Sequence, residues 1–97
     1  MPTLEELLKS PDQSVRLKAA LAAGTYPNLD YIEILIRQCA SESDFFVRDT
    51  LSWALMRQDR ETVVQRLIPE LKSPSSQARS QALHTLSKIG DKANYPL

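Results

Sequence analysis

Apolar residues recur along this chain every three or four positions and almost never alternate, a pattern that predicts helices and no strand. Leu4, Leu7 and Leu8 open it in the segment LEELLKS. Ser10-Pro11-Asp12 interrupts the period, since Ser or Asp can cap a new helix and Pro fits its first turn. A second helix is predicted from about Gln13 to Ala23, with Gly24 and Tyr26-Pro27-Asn28 ending it. A third covers roughly Leu29 to Ala40 and carries Ile32, Leu35, Ile36 and Cys39 on one side. Ser41-Glu42-Ser43-Asp44 reads as the next turn, and a fourth helix, DFFVRDTLSWALM, runs from there to near Arg57. Asp59 can cap a fifth helix bearing Val63, Val64, Leu67, Ile68 and Leu71, with Pro69 predicting a kink or an early end. Ser73-Pro74-Ser75 repeats the earlier turn, and a sixth helix is expected from about Gln77 to Ile89, stopping at Gly90.

The even-numbered helices superimpose. Val15-Arg16, Val47-Arg48 and Ala78-Arg79 align at offsets of 32 and 31 residues. The same offsets align Asp12 with Asp44 and Ser75, Ala22 with Ala54 and Thr85, and Ala23 with Leu55 and Leu86. Leu8-Lys9-Ser10-Pro11 recurs residue for residue as Leu71-Lys72-Ser73-Pro74, 63 positions on. Helical hairpins at a fixed period are the signature of a solenoid. The expected fold is therefore all-α, one domain over 1–97 in units of about 1–26, 27–58 and 59–91. Residues 92–97 read as the opening of a fourth unit, Ala93 and Leu97 echoing Val63 and Leu67.

The pattern D-x-x-V-R-x-x-A-x-x-A-L, seen as Asp12, Val15-Arg16, Ala19, Ala22-Ala23 and again as Asp44, Val47-Arg48, Leu51, Ala54-Leu55, resembles HEAT repeats. Its short period resembles the HEAT-like repeats of the phycobilisome-lyase type. The resemblance covers nearly the whole chain and implies a right-handed α-solenoid of about three HEAT-like helical hairpins. It further implies that the second helix of each hairpin lines the concave side, and that Arg16, Arg48 and Arg79 are structural. The third unit departs from the pattern, with Ser75 for the aspartate and Ala78 for the valine. A solenoid normally ends in a cap with a polar outer face, and none is visible. The chain is thus expected to be a stretch of a longer repeat protein, or to have its open C-terminal end covered by another chain, self-association included.

At about 100° per residue, Val47, Leu51, Ala54 and Leu55 fall on one arc of the fourth helix, flanked by Arg48 and Ser52. Phe46, Asp49, Thr50, Trp53, Met56 and Arg57 fall on the opposite arc. The repeat offsets place Leu17 with Asp49 and Ser80, and Leu21 with Trp53 and His84. The candidate protein-binding residues are therefore Phe46, Asp49, Thr50, Trp53 and Arg57, with Leu17, Leu21, Ser80 and His84 beside them. Trp53 reads in three ways: a partner anchor, a filler of the groove between adjacent second helices, or a stacking platform for a ligand or base. Asp12 and Asp44, with Arg16, Arg48 and Arg79, form a ladder at the margin of the buried face. A phosphate-binding reading of that ladder is weaker than a structural one, because turn carbonyls and, in two cases, an aspartate four residues back lie beside each arginine. Tyr26, Tyr31 and Tyr95 sit at hairpin junctions and are expected to pack.

Composition narrows the chemistry. Ninety-seven residues suit a single domain, and 12 basic residues balance 12 acidic ones. That neutrality weighs against a generic nucleic-acid binder. Base repair on a HEAT-like scaffold, with Trp53 and Asp49 in the site, remains an alternative reading. A bilin-lyase-type accessory subunit is another, resting on the resemblance alone. Two glycines leave no GxGxxG or GxxxxGK loop. The one histidine, His84, has no His or Cys at ligand spacing, so neither metal nor cofactor is expected. The one cysteine, Cys39, falls among apolar residues and is expected to be a buried, inert thiol in a reducing compartment. MPTLEELLKS is no signal peptide, and no apolar run approaches the roughly 18 residues of a membrane span. The expected protein is cytoplasmic and non-catalytic, an interaction scaffold for an unidentified protein partner.

Overall fold

The fold is set by turns that start helices and by small residues that let the helices touch. The computed structural model describes the backbone of residues 1–94 and the side chains of residues 1–91. Leu4–Leu8 (α1), Gln13–Thr25 (α2), Tyr31–Ser41 (α3), Phe45–Met56 (α4), Arg60–Leu67 (α5) and Ser76–Asn94 (α6) are α-helical, and Ile68–Lys72 forms a 3-10 turn after α5. No strand occurs among the described residues. Most starts carry a side-chain cap: Thr3 and Glu6 form a capping box on α1, Asp12 accepts from Ser14 N–H, Asp44 from Val47 N–H, and Asp59 from Thr62 N–H. The Ser75 hydroxyl takes the aspartate's place on α6, accepting from Ala78 N–H at 3.2 Å.

Several boundaries differ from the sequence expectation. α2 runs through Gly24 and α6 through Gly90, and neither glycine has positive φ. Neither is a left-handed cap, and α6 continues into the stretch read as a new unit. Of that stretch, Tyr95, Pro96 and Leu97 lie outside the described residues. α3 begins at Tyr31 because the Asn28 side chain accepts Asp30 N–H at 2.9 Å, holding Leu29 in an exposed turn. Pro69 has no N–H for an α-helical bond, so α5 gives way to the 3-10 turn. Ile68 and Leu71 consequently rotate out of the core, which keeps Val63 and Leu67. Tyr26 is exposed rather than packed, and Tyr31 is half-buried against the core.

Residues from all six helices form one apolar core, with Leu8, Leu35, Val47, Leu51, Leu55 and Val63 at its centre. α2 lies along α4, α1 packs on α2, and α3 spans α4 and α6, an extensive helix–helix packing consistent with a helical-repeat arrangement. Ala20, Ala23 and Gly24 on α2 are buried. A Cβ built on Gly24 would fall 2.8 Å from Trp53 Cε3 and closer still to Cζ3, so the glycine serves the approach of the Trp53 ring rather than a chain reversal. Buried polar groups tie the helices together. Gln58 Nε2 donates to the carbonyls of Ala23 (2.9 Å) and Ala54 (3.1 Å), while its Oε1 accepts Asn28 N–H (2.9 Å). The hydroxyls of Ser52 and Thr85, 2.8 Å apart, join α4 to α6.

One arginine contact recurs. Nη1 of Arg16, Arg48 and Arg79 donates to the carbonyl six residues back, at Ser10 (2.9 Å), Glu42 (3.0 Å) and Ser73 (2.7 Å). At the middle position the residue is a glutamate, and it does more. The Glu42 side chain, 2% exposed, accepts Arg16 Nε (2.9 Å) and Nη2 (3.0 Å), Gln38 Nε2 (3.0 Å) and Asp44 N–H (3.0 Å). Its carbonyl also accepts Gln77 Nε2 at 2.7 Å, so α2, α4 and α6 all converge on this turn. Burial pushes the Glu42 carboxyl up; the hydrogen bonds from Arg16, Asp44 N–H and Gln38 outweigh it and leave the group below its ordinary value. Among the described residues no buried side-chain N or O lacks a partner.

Two outcomes follow from these contacts. A carboxyl with a lowered folded value contributes stability that is complete above its unfolded value and is lost as pH falls through the folded one. The denaturant midpoint should therefore fall as the medium is acidified below about pH 4.3, and Glu42→Gln should lower the midpoint at neutral pH and flatten that fall. Asp12, Asp44 and Asp59, also held low by their capping bonds, supply the residual slope. The second outcome is a reversal of sign. A helical Gly→Ala change ordinarily stabilises by about 1 kcal/mol. Gly24→Ala should instead destabilise by about 1 kcal/mol through overpacking and shift the emission of the sole tryptophan to the red. In a Trp53→Ala background, Gly24→Ala should stabilise by about 0.5–1 kcal/mol.

Candidate functional site

With Val47, Leu51, Ala54 and Leu55 committed to the core, the far side of α4 is left to solvent. Phe46 and Trp53 are 68% and 39% exposed, Asp49 and Arg57 are exposed, and Thr50 is half-buried with its hydroxyl on the Phe46 carbonyl at 2.9 Å. Phe45, which the sequence reading left out, is exposed too and meets Phe46 edge-to-face with ring centroids 5.7 Å apart. The signal for it was present: two residues before Val47 is about 200° around the helix.

These residues divide into two strips. Along one edge Trp53 lies on Gly24, and Arg57 Nε donates to the Gly24 carbonyl at 3.1 Å, so both are seated across the α2–α4 seam. Leu21 is exposed on α2, and Leu17 is half-buried. Along the other edge, Phe45, Arg48 and Asp49 of α4 face Ser80, Gln81 and His84 of α6 across an open groove of about 370 Å³. Lys88 closes one side with an ion pair from Nζ to Asp49 Oδ1 at 3.4 Å. The structure thus brings Asp49, Ser80 and His84 together, and separately Trp53, Arg57 and the end of α2. Phe46 lies on the α4 ridge with Phe45 beside it.

The charged groups nearby are largely occupied. Arg16 is held by Glu42, and Arg48 and Arg79 each place a guanidinium nitrogen on turn carbonyls. On this face Lys88 is paired with Asp49, and Arg48, Arg57 and Arg79 each donate to backbone carbonyls. Ser80 and His84 share no hydrogen bond, and no group of three or more His, Cys, Asp or Glu could hold a metal among the described residues. Cys39 is buried in α3; burial first, and the Glu42 charge second, push its thiol up to about 12, far from the thiolate a nucleophile needs. No described helix is long and apolar enough to cross a membrane.

A comparison with curated proteins returns no match. A family model described as HEAT repeats matches residues 1–56, which covers α1 to α4 and the two aspartate–arginine turns aligned above. With more than half of its length matched, and with all six helices packed as described, the chain belongs to the HEAT-repeat family.

Proposed function

We propose that the protein is a non-catalytic interaction scaffold. Its partner surface is the outer face of α2, α4 and α6, the concave side of a right-handed stack of about three hairpins. The observation that carries this reading is the exposure of Phe45, Phe46, Leu21 and much of Trp53 on one side of a domain whose core is complete without them. Large apolar groups gathered on an exposed face are the informative exception to hydrophobic burial. Trp and Arg are enriched among residues that dominate binding energy, and here Trp53 and Arg57 are already fixed in place by Gly24. Little side-chain entropy then remains to be lost on binding. The partner suited to this face is a protein segment with an apolar anchor for the Phe45–Phe46 ridge and a polar or charged flank for Asp49, Ser80 and His84.

Phe46 gives the cleaner test, since Trp53 also packs on α2. Phe46→Ser should leave the unfolding free energy within about 0.5 kcal/mol of wild type. It should weaken capture of the partner, isolated on immobilised wild-type chain, by tenfold or more, about 1.4 kcal/mol. Unchanged binding by a folded Phe45→Ser/Phe46→Ser variant would contradict the reading.

A further inference from the structure

The α2–α4 and α4–α6 seams are built on the same arginine and differ in what meets it. In the α2–α4 seam, Arg16 Nη1 bonds its own turn, while Nε and Nη2 are taken by the Glu42 carboxylate at 2.9 and 3.0 Å. Gln13 closes that seam with a bond from Nε2 to Asp44 Oδ1 at 3.4 Å. In the α4–α6 seam the repeat offsets put Arg48 for Arg16, Phe45 for Gln13, Ser73 for Glu42 and Ser75 for Asp44. The backbone of the two turns is alike, with φ -68° and ψ 125° at Glu42 against φ -60° and ψ 143° at Ser73. Each of these side chains also accepts the N–H two residues on, Glu42 Oε2 from Asp44 at 3.0 Å and Ser73 Oγ from Ser75 at 3.1 Å. Ser73 thus keeps the turn but is too short to cross to the arginine. Arg48 bonds the carbonyls of Glu42 and Ser43 through Nη1, and among the described residues its Nε and Nη2 meet no acceptor. No buried side-chain nitrogen among those residues lacks a partner, so both nitrogens are open to solvent.

Arg48 lines the groove of about 370 Å³ between α4 and α6, together with Ser80, Gln81 and His84. Among the described residues these last three side chains make no hydrogen bond of their own, so their donors also remain for an occupant. The carboxylate that lines the groove, Asp49, is paired with Lys88. Arg48 and Lys88 against Asp49 leave one positive charge over, which a single carboxylate neutralises. We propose that this groove binds a glutamate side chain of a partner protein, its carboxylate on Nε and Nη2 of Arg48 as Glu42 lies on Arg16. An apolar neighbour of that glutamate rests on the Phe45 ring, which is 65% exposed. A guanidinium–carboxylate fork fixes direction as well as distance and is roughly twice as strong as a neutral hydrogen bond. The proposal rests on the scaffold reading and gives the partner segment a sign: an acidic residue beside its apolar anchor.

Removing Arg48 would also release the Glu42 and Ser43 carbonyls, so the test leaves it in place. Ser73→Glu instead supplies the missing carboxylate from within the chain. The full chain, isotope-labelled for NMR, is titrated with the blocked peptide acetyl-Leu-Glu-Leu-amide and with its Gln counterpart, and the Arg48 Nε–H resonance is followed. The Glu peptide should move that resonance saturably, and the Gln peptide should bind at least about tenfold more weakly. In Ser73→Glu the resonance should already be displaced without peptide, and the Glu peptide should bind at least about tenfold more weakly than to wild type. No response to the Glu peptide, equal binding of the two peptides, or a Ser73→Glu chain that takes up the Glu peptide as wild type does would each overturn the proposal. So would a Gln peptide with a free terminal carboxylate that binds as tightly as the Glu peptide, since the groove would then read a chain end. The scaffold reading stands or falls separately, on partner capture by the Phe45→Ser/Phe46→Ser variant, which keeps Arg48.

Discussion

A carboxylate buried in a turn ties α2 and α3 to the start of α4. Glu42 lies between α3 and α4 with four donors on its oxygens, two of them from the guanidinium of Arg16. A carboxylate taken out of water is strongly unfavourable unless its lone pairs are satisfied. The donors come from α2, α3 and the turn itself, so the satisfied carboxylate ties the start of α4 to α2. Further along the same seam Trp53 lies on Gly24 and Arg57 Nε donates to the Gly24 carbonyl. The bidentate geometry matters here, since an arginine fork fixes direction as well as distance.

Around that constraint the packing is unusually dependent on small residues. Ala20, Ala23 and Gly24 form the α2 side of the seam, and Gln58 closes it by satisfying two carbonyls at once. The contacts of α2 with α4 and of α4 with α6 are well sealed, with Ala20, Ala54, Ser52 and Thr85 at most 1% exposed. The aromatic ridge at Phe45 and Phe46 lies outside both contacts and is exposed. Trp53 stands between the two roles, with one ring edge in the seam and the rest in solvent.

The helices were legible in the sequence wherever periodicity and capping agreed. Asp12, Asp44 and Asp59 announced α2, α4 and α5, and the wheel separated Val47 and Leu51 from Phe46 and Trp53 correctly. The glycines misled because a helix tolerates Gly at modest cost, and only the tertiary neighbour reveals why one is there: Trp53 for Gly24, and nothing within 4 Å for Gly90. Ile68 and Leu71 followed the helical period on paper, but the 3-10 turn at Pro69 changed their direction. Glu42 read only as part of a turn, Ser52 as a flank of the buried arc and Thr85 only through its alignment with Ala54, while Gln58 drew no reading. Their burial depends on partners 26 to 35 positions away, which no local pattern contains. The outer face was readable as the complement of the core, whereas its division into a seam strip and a groove strip depends on how α2 and α6 sit beside α4.

The central claim is that Arg16 and Glu42 act as one unit in fixing α4 on α2. A double-mutant cycle in urea, with Arg16→Gln, Glu42→Gln and the two combined, measures it directly. Each single change should lower the unfolding midpoint, and the double variant should lose no more than the worse of the two, because the second change removes a group already without its partner. Losses that simply add would show that the two side chains stabilise the fold independently and that the seam is held by packing alone.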